Sequence, residues 1–147
     1  MPISEEELEA LEERDLSKMA EDTLTSLEEI GKKLGFKTDR MYPCYVGELD
    51  LVWYLEMRLP GLEFGKLPVV GFEVETSERS RKHIKGDLFN LSQLHPALGV
   101  LILLKKGFKD DRKFNGLLEA AKRYVEHARG RILLWTEEEL ENLKTVA

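Results

Sequence analysis

The sequence has one cysteine and no long run of apolar residues, and each shortage excludes a class of protein. Cys44, the sole cysteine, excludes an internal disulfide framework. No apolar stretch approaches the roughly 18 residues that a membrane-spanning helix needs, and the acidic N-terminal segment has no apolar signal core. The three histidines lie too far apart in sequence for a zinc site. We therefore expect a cytoplasmic protein that has no contact with the membrane.

The remaining composition is typical of a folded domain with an acidic balance. The chain has 147 residues, of which 42% are hydrophobic and 34% charged. These values predict a single domain, residues 1–147, with its own core. The net charge of -6 disfavours indiscriminate nucleic-acid binding, although it remains compatible with a local basic face. The abundance of Glu and Lys, with few Cys and Met, is typical of proteins from hot environments.

Hydrophobic periodicity predicts alternating helices and strands. A short peripheral helix is expected within residues 1–15 and a second helix from about residue 17 to 34. Three strands (36–46, 48–57 and 67–76) and a helix (80–94) follow. A strand (98–104), a helix that follows Asp110 and Asp111 and runs to about residue 127, a strand (131–135) and a helix within 136–147 complete the chain. Two capping-box pairs, Ser4 with Glu7 and Thr136 with Glu139, mark helix starts. An early meander followed by crossover helices predicts an α/β fold with a central mixed sheet.

Two of these strands carry acidic residues where a strand would otherwise have valine. Asp50 lies in the second strand, and Glu73 and Glu75 lie in the third. Side chains alternate along a strand, so Glu73 and Glu75 project from one side, roughly 7 Å apart. If the two strands pair as a hairpin, Asp50 approaches them. Converging carboxylates repel one another unless a cation or protons neutralise them, and the absence of nearby Cys and His favours Mg²⁺ over Zn²⁺.

This order of elements and acidic residues resembles the PD-(D/E)xK nuclease superfamily, which includes restriction endonucleases and archaeal Holliday-junction resolvases. The resemblance covers about residues 17–135. It matches Asp50 to the metal-binding Asp and Glu73 to the acidic residue of the motif, and Glu75 stands where the motif usually has lysine. The resemblance implies a restriction-endonuclease-like, three-layer α/β/α fold. It also implies hydrolysis of phosphodiester bonds with Mg²⁺ or Mn²⁺, and nucleic acid, DNA above RNA, as the partner.

The resemblance also implies roles for individual residues. Asp50 and Glu73 would hold the metal, and Glu75 could accept the proton of a water or hold a second metal. Some members carry the lysine on the following helix, which makes Lys82 and Lys85 candidates for the missing charge. The resolvase branch adds a glutamate from the first long helix. Glu21 and Glu28 are the candidates, and Glu28 is preferred because it lies closer to the apolar stripe. The predicted catalytic residues are thus Asp50, Glu73, Glu75, Lys82 and Lys85, and the predicted metal ligands are Asp50, Glu73, Glu75 and Glu28.

Other readings remain open at this point. Asp50 could cap a turn, and Glu73 and Glu75 could line the solvated face of an edge strand. Because the motif lysine is missing, a nuclease-like fold that has lost catalysis and binds nucleic acid, or serves in assembly, is the alternative function. Basic residues within 79–85 and 105–113 could form a positive rim for a phosphodiester substrate. Leu8 and Leu11 form a stripe too narrow to bury in a monomer, which predicts a homodimer through the N-terminal helix.

Overall fold

A computed structural model describes residues 2–44, 47–62, 65–77, 84–92, 97–127 and 131–147, without the side chains of residues 84 and 85. In these ranges the chain forms five strands and four helices. Their order is α1 (Glu5–Lys33), β1 (Lys37–Cys44), β2 (Gly47–Glu56), β3 (Lys66–Glu75), α2 (Ile84–Ser92), β4 (Leu98–Leu103), α3 (Asp111–His127), β5 (Arg131–Trp135) and α4 (Glu137–Val146). A short 3-10 turn, Lys105–Gly107, follows β4.

The described strands form one mixed sheet in the order β1-β2-β3-β4-β5. The first three are antiparallel, with Leu51 of β2 opposite Phe72 of β3. The last three are parallel, with Glu73 of β3 opposite Leu101 of β4. Helices α2 and α3 connect the parallel strands, because parallel neighbours need a crossover. The prediction of a meander followed by parallel pairs in an α/β fold is confirmed.

Helices cover both faces of the sheet, which gives three layers. On one face α1 and α4 pack against Leu51 and Phe72. On the other face α2 and α3 pack against Leu49 and Leu101. Strand β4 lies between the two cores, and its residues 100–103 are fully buried. This two-sided burial explains why its sequence is a continuous apolar run instead of an alternating one.

The predicted break between two N-terminal helices is wrong, because α1 runs unbroken for 29 residues. The segment contains no proline, and polar residues near position 15 continue the helix instead of starting a new one. Its buried residues all lie in the C-terminal half: Leu24, Leu27, Ile30 and Gly31. The N-terminal half leaves Leu8 50% and Leu11 44% exposed. Neither α1 nor any other helix in the described ranges is long and apolar enough to cross a membrane.

Gly31 allows α1 to lie close to the sheet. The indole Nε1 of Trp53 on β2 donates to the carbonyl oxygen of Leu27 over 3.0 Å. A Cβ atom at Gly31 would lie 2.5 Å from that nitrogen, which no side chain could accommodate without movement. Trp53 also stacks on Phe36 and meets Phe72 edge-on, with ring centroids 5.5 and 4.7 Å apart. These contacts fix the position of α1 on β2.

Candidate metal centre

The regular alternation of β2 is broken at Asp50. Leu49 and Leu51 are both fully buried, yet they pack in opposite cores. Strict alternation would place residues two apart on the same face. In the neighbouring stretch of β1, Met41 has a left-handed φ of 51°, which is uncommon for a residue with a side chain. The side chain of Asp50 is therefore turned towards β3 instead of standing on one face of the sheet.

Asp50 and Glu73 join β2 to β3 through two hydrogen bonds. The backbone N–H of Asp50 donates to Oε1 of Glu73 over 3.1 Å. The backbone N–H of Val74 donates to Oδ2 of Asp50 over 2.9 Å. Both bonds lie just beyond the ladder pair Leu51–Phe72. Carboxylate oxygens here replace the backbone carbonyls as acceptors, so the separation of the two strands depends on these two side chains.

Glu73, Glu75 and Asp87 form what we call the acidic cluster. One oxygen from each residue lies within 4.8 Å of the other two, so the three together could hold a metal ion. Glu73 is 5% and Asp87 9% exposed, whereas Glu75 is half-buried. The two glutamates leave β3 on the same side, as alternation predicts. Asp87 reaches them from α2, which packs on that side.

Burial perturbs the acid–base behaviour of the cluster. It raises the pKa of Glu73 to about 8, and the negative charges of Asp50 and Glu75 add to the rise, while hydrogen bonds from Asp87 and the Asp50 backbone oppose it. Burial also raises the pKa of Asp87, to about 11, with hydrogen bonds and negative charge from Glu75 and Glu73 adding to it. At neutral pH the carboxyl group of Asp87 therefore keeps its proton and donates it in a hydrogen bond. Without a cation, protons on Glu73 and Asp87 reduce the negative charge of the cluster.

Asp87 was not among the predicted site residues, although the sequence contains a signal for it. At 100° per residue it lies about 40° from Leu91 around α2, within the apolar stripe of that helix. A carboxylate in such a stripe must be buried, and buried carboxylates need a partner. The prediction took its carboxylates from the two strands and from the first long helix and overlooked α2.

Two buried oxygens on α2 have no hydrogen-bond partner among the described residues. They are Oδ2 of Asp87 and Oδ1 of Asn90. Residues three apart lie on the same side of a helix, so both belong to the side that packs on the sheet. Buried polar atoms are rarely left unpaired. Together with a donor set made only of oxygens, the orphan oxygen of Asp87 fits a hard cation.

The structure does not bring Glu28 into the acidic cluster, which corrects its prediction as a metal ligand. Glu28 forms an ion pair of 2.6 Å with Arg40 of β1, and Glu21 binds the same guanidinium at 3.0 Å. The reason is the layer arrangement: α1 packs on the face of the sheet opposite to α2. The face of a helix can be read from sequence, but the side of the sheet on which it packs cannot.

Arg40 brings positive charge close to Asp50. Burial is the main cause that raises the pKa of Asp50, and the charge of Glu75 adds to it. The hydrogen bond from Val74 and the charge of Arg40 lower that pKa. Because Arg40 is already paired with two glutamates of α1, it offsets little of the negative charge on the acidic cluster.

The predicted lysines cannot be placed in this geometry. Lys82 lies outside the described residues, and Lys85 is placed in α2 by its backbone alone. Their role in supplying the missing positive charge stays a prediction. The basic residues of 79–81 likewise fall outside the described ranges.

The lysines after β4 lie next to the end of β3. The backbone N–H of Leu104 donates to the carbonyl oxygen of Glu75 over 2.9 Å. The backbone N–H groups of Lys105 and Lys106 bind the carboxylate of Glu137 at 2.8 and 3.0 Å. Glu12, Glu13 and Asp15 of α1 line the same hollow as Lys106 and Lys109. The predicted positive rim is thus interleaved with acidic residues on this side.

The chain matches no known family model, no curated protein and no solved structure. The resemblance to the PD-(D/E)xK superfamily accordingly stays a prediction based on its own residues.

Proposed function

We propose that this protein is a metal-dependent nuclease of the restriction-endonuclease-like type, which hydrolyses phosphodiester bonds of nucleic acid with Mg²⁺ or Mn²⁺. The observation that carries the proposal is the convergence of Glu73, Glu75 and Asp87 beside Asp50. Three carboxyl groups of which two are nearly inaccessible to water need protons or a cation to balance them. Oxygen donors alone favour a hard divalent cation.

Each residue has a distinct part in the proposed reaction. Glu73, Glu75 and Asp87 would hold the cation, which supplies charge to polarise the phosphate and lowers the pKa of a water. Asp87 would release its proton to solvent in order to hold the cation. Glu75 is the most accessible of the three and is the group placed to accept the proton of the attacking water. The oxygen of that water bonds to phosphorus while the bond from phosphorus to the leaving sugar oxygen breaks, and the leaving oxygen takes up a proton from solvent.

Asp50 acts in this proposal mainly by positioning. Its backbone N–H fixes Oε1 of Glu73, and its own carboxylate fixes the backbone of Val74. These two bonds hold the start of β2 against the end of β3 and so aim Glu73 into the cluster. Its negative charge also raises the pKa of Glu73, which strengthens the demand for a cation.

Metal binding and cleavage test the proposal together. Protein stripped with a chelator is titrated with Mn²⁺ and Mg²⁺ in a calorimeter, and cleavage is then assayed on duplex, single-stranded and branched DNA and on RNA. We expect Glu73→Gln and Glu75→Gln to lose cleavage, whereas Glu56→Gln, an exposed glutamate on β2, retains it. A wild-type protein that binds neither ion and cuts none of the substrates would contradict the proposal.

A second candidate function is binding of nucleic acid, or assembly, without catalysis. It is favoured by Glu75, a negative residue at the position where the resembled motif has a positive one. In that case Mn²⁺ binding persists and labelled DNA or RNA is bound in a polarisation assay, but no substrate is cut at any metal concentration. The comparison of binding with cleavage in the same samples separates the two functions.

A further inference from the structure

The outer edge of β5 has no strand beside it among the described residues. This strand, Arg131–Trp135, pairs with β4 and stands last in the sheet order. Leu133 in its middle is 41% exposed. An edge strand presents unpaired backbone N–H and C=O groups that can pair with another chain.

The two edges of the sheet differ in how they are protected. The β1 edge contains Pro43, which has no N–H to donate, and the left-handed Met41. Its first half also carries the charged residues Lys37, Asp39 and Arg40. Such features prevent pairing between edges. The β5 edge contains no proline and no acidic residue, and its single charge is Arg131 at the start of the strand.

The hydrophobic core extends to the β5 edge, where part of its apolar surface remains exposed to solvent. Val100 of β4 lies beside Leu133 in the sheet, and Val100 is fully buried. One strand further out, Leu133 is 41% exposed. A partner placed on the edge of β5 would therefore extend an existing apolar face instead of covering a polar one.

The sequence of β5 is complementary to itself when it runs antiparallel to a second copy. A register centred on Leu133 pairs all five residues. Leu133 then meets the second copy's Leu133, Ile132 meets Leu134, and Arg131 meets Trp135. Apolar cross-strand pairs are stabilising, and Arg131 can lie over the indole ring in a cation–π contact. No two like charges face each other in this register.

We propose that a second copy of this chain docks on β5 to form a symmetric homodimer with a continuous ten-stranded sheet. The two-fold axis passes beside Leu133, perpendicular to the sheet. Two-fold dimers are the commonest closed assemblies. This symmetry places both acidic clusters on the same face of the joined sheet. With strands about 4.8 Å apart, the two β3 strands lie on the order of 24 Å from each other.

Opposite charges introduced at Leu133 test both the β5 interface and the position of the two-fold axis beside Leu133. Wild-type protein should show twice the 17.0 kDa chain mass by light scattering at micromolar concentration. Leu133→Lys alone and Leu133→Glu alone should each run as monomers, because like charges meet at the axis. An equimolar mixture of the two should recover the dimer, because Lys then faces Glu.

Two controls separate this surface from the N-terminal helix. Leu8→Lys introduces the same charge at an exposed leucine of α1, and it should remain a dimer. Deletion of residues 2–14 should also leave the protein dimeric. Dissociation caused by either control variant would move the interface to α1 and overturn the proposal.

Three further results would overturn it. They are a wild-type mass of 17.0 kDa, a Leu133→Lys variant that stays dimeric, and folded single variants whose mixture stays monomeric. A monomer that instead captures an extended peptide on β5 would also exclude the second copy as the occupant.

Hydrogen exchange of the β5 amides provides a test that needs no variant. Protection of these amides should rise with protein concentration, and protection that is independent of concentration would contradict the dimer.

Discussion

The backbone N–H of Asp50 binds the carboxylate of Glu73 across 3.1 Å, so the residue on β2 positions the residue on β3 through its main chain. This bond does not depend on the side chain of Asp50. It requires only an oxygen at Oε1 of Glu73, which a glutamine also provides. A glutamine at position 73 therefore removes the negative charge while keeping the hydrogen bond that positions the side chain.

Replacing Glu73 by glutamine should separate stability from metal binding. Glu73→Gln keeps an acceptor for Asp50 but removes a charge that is costly to bury. In the presence of a chelator at pH 9 we expect its free energy of unfolding to exceed that of the wild type by about 1 kcal/mol or more, together with loss of Mn²⁺ binding. Urea unfolding and calorimetry measure the two effects. Equal stability of both proteins at pH 9 would mean that the pKa of Glu73 is not raised in the folded state, because its charge would then cost nothing to bury.

The stability of the metal-free protein should fall as pH rises. The folded pKa of Glu73, about 8, exceeds its ordinary value of 4.5, and the pKa of Asp87 is also raised. Between the ordinary and the raised values the folded state binds more protons than the unfolded state. The stabilisation is complete below pH 4 and is lost as pH rises through 8 and beyond, at up to about 1.4 kcal/mol per pH unit for each proton. Unfolding curves at pH 5, 7 and 9 measure this slope. A flat profile would contradict the raised pKa values.

Binding of a cation should release protons from the cluster. At pH 7 the carboxyl groups of Asp87 and Glu73 are largely protonated, and a cation takes the place of those protons. Calorimetric titration with Mn²⁺ in two buffers of different ionisation enthalpy should show about one to two protons released per ion. Release should decrease in Asp87→Asn. The same heat in both buffers would show that the ion binds elsewhere.

Glu28→Gln tests whether Glu28 is a metal ligand or a partner of Arg40. From its 2.6 Å ion pair we expect unchanged Mn²⁺ affinity. The pair is partly open to solvent, so the loss of stability should be no more than about 1 kcal/mol. A tenfold loss of Mn²⁺ affinity would restore Glu28 to the metal site.

Gly31→Ala should weaken the contact between α1 and β2. The added Cβ would lie 2.5 Å from Nε1 of Trp53, which costs about 1–3 kcal/mol of stability when the ring and the helix move apart. Gly116→Ala in α3 is the matched control, because nothing lies within 4 Å of its Cβ position. It should stabilise the protein by up to about 1 kcal/mol. Thermal melting of both variants checks the difference.

The sequence predicts best those structural features that depend only on residues close together in the chain. Alternation along β3 placed Glu73 and Glu75 on one side, and the two-sided burial of β4 followed from its continuous apolar run. The capping box at Thr136 is also confirmed. These local patterns do not predict which face of the sheet each helix packs against. Asp87 and Glu28 both lie on helices, and only the choice of sheet face brings one to the acidic cluster and takes the other to Arg40.

The irregularity at Asp50 was equally hidden, because it depends on the backbone of a neighbouring strand. Leu49 and Leu51 suggest a uniform apolar face when they are read alone. Only the left-handed Met41 on β1 and the opposite cores of the two leucines show that Asp50 is turned sideways. Predictions from periodicity fail where two strands deviate from the regular pattern together.

The raised pKa values of Glu73 and Asp87 also determine whether the chain can fold before it binds a metal ion. A site of permanent negative charges would oppose folding until an ion arrived, so folding would depend on the supply of metal. Here the newly made chain can close its core with neutral carboxyl groups and exchange them for a cation afterwards. We expect refolding from urea to be as fast in a chelator at pH 6 as with Mn²⁺ present, so that loading follows folding.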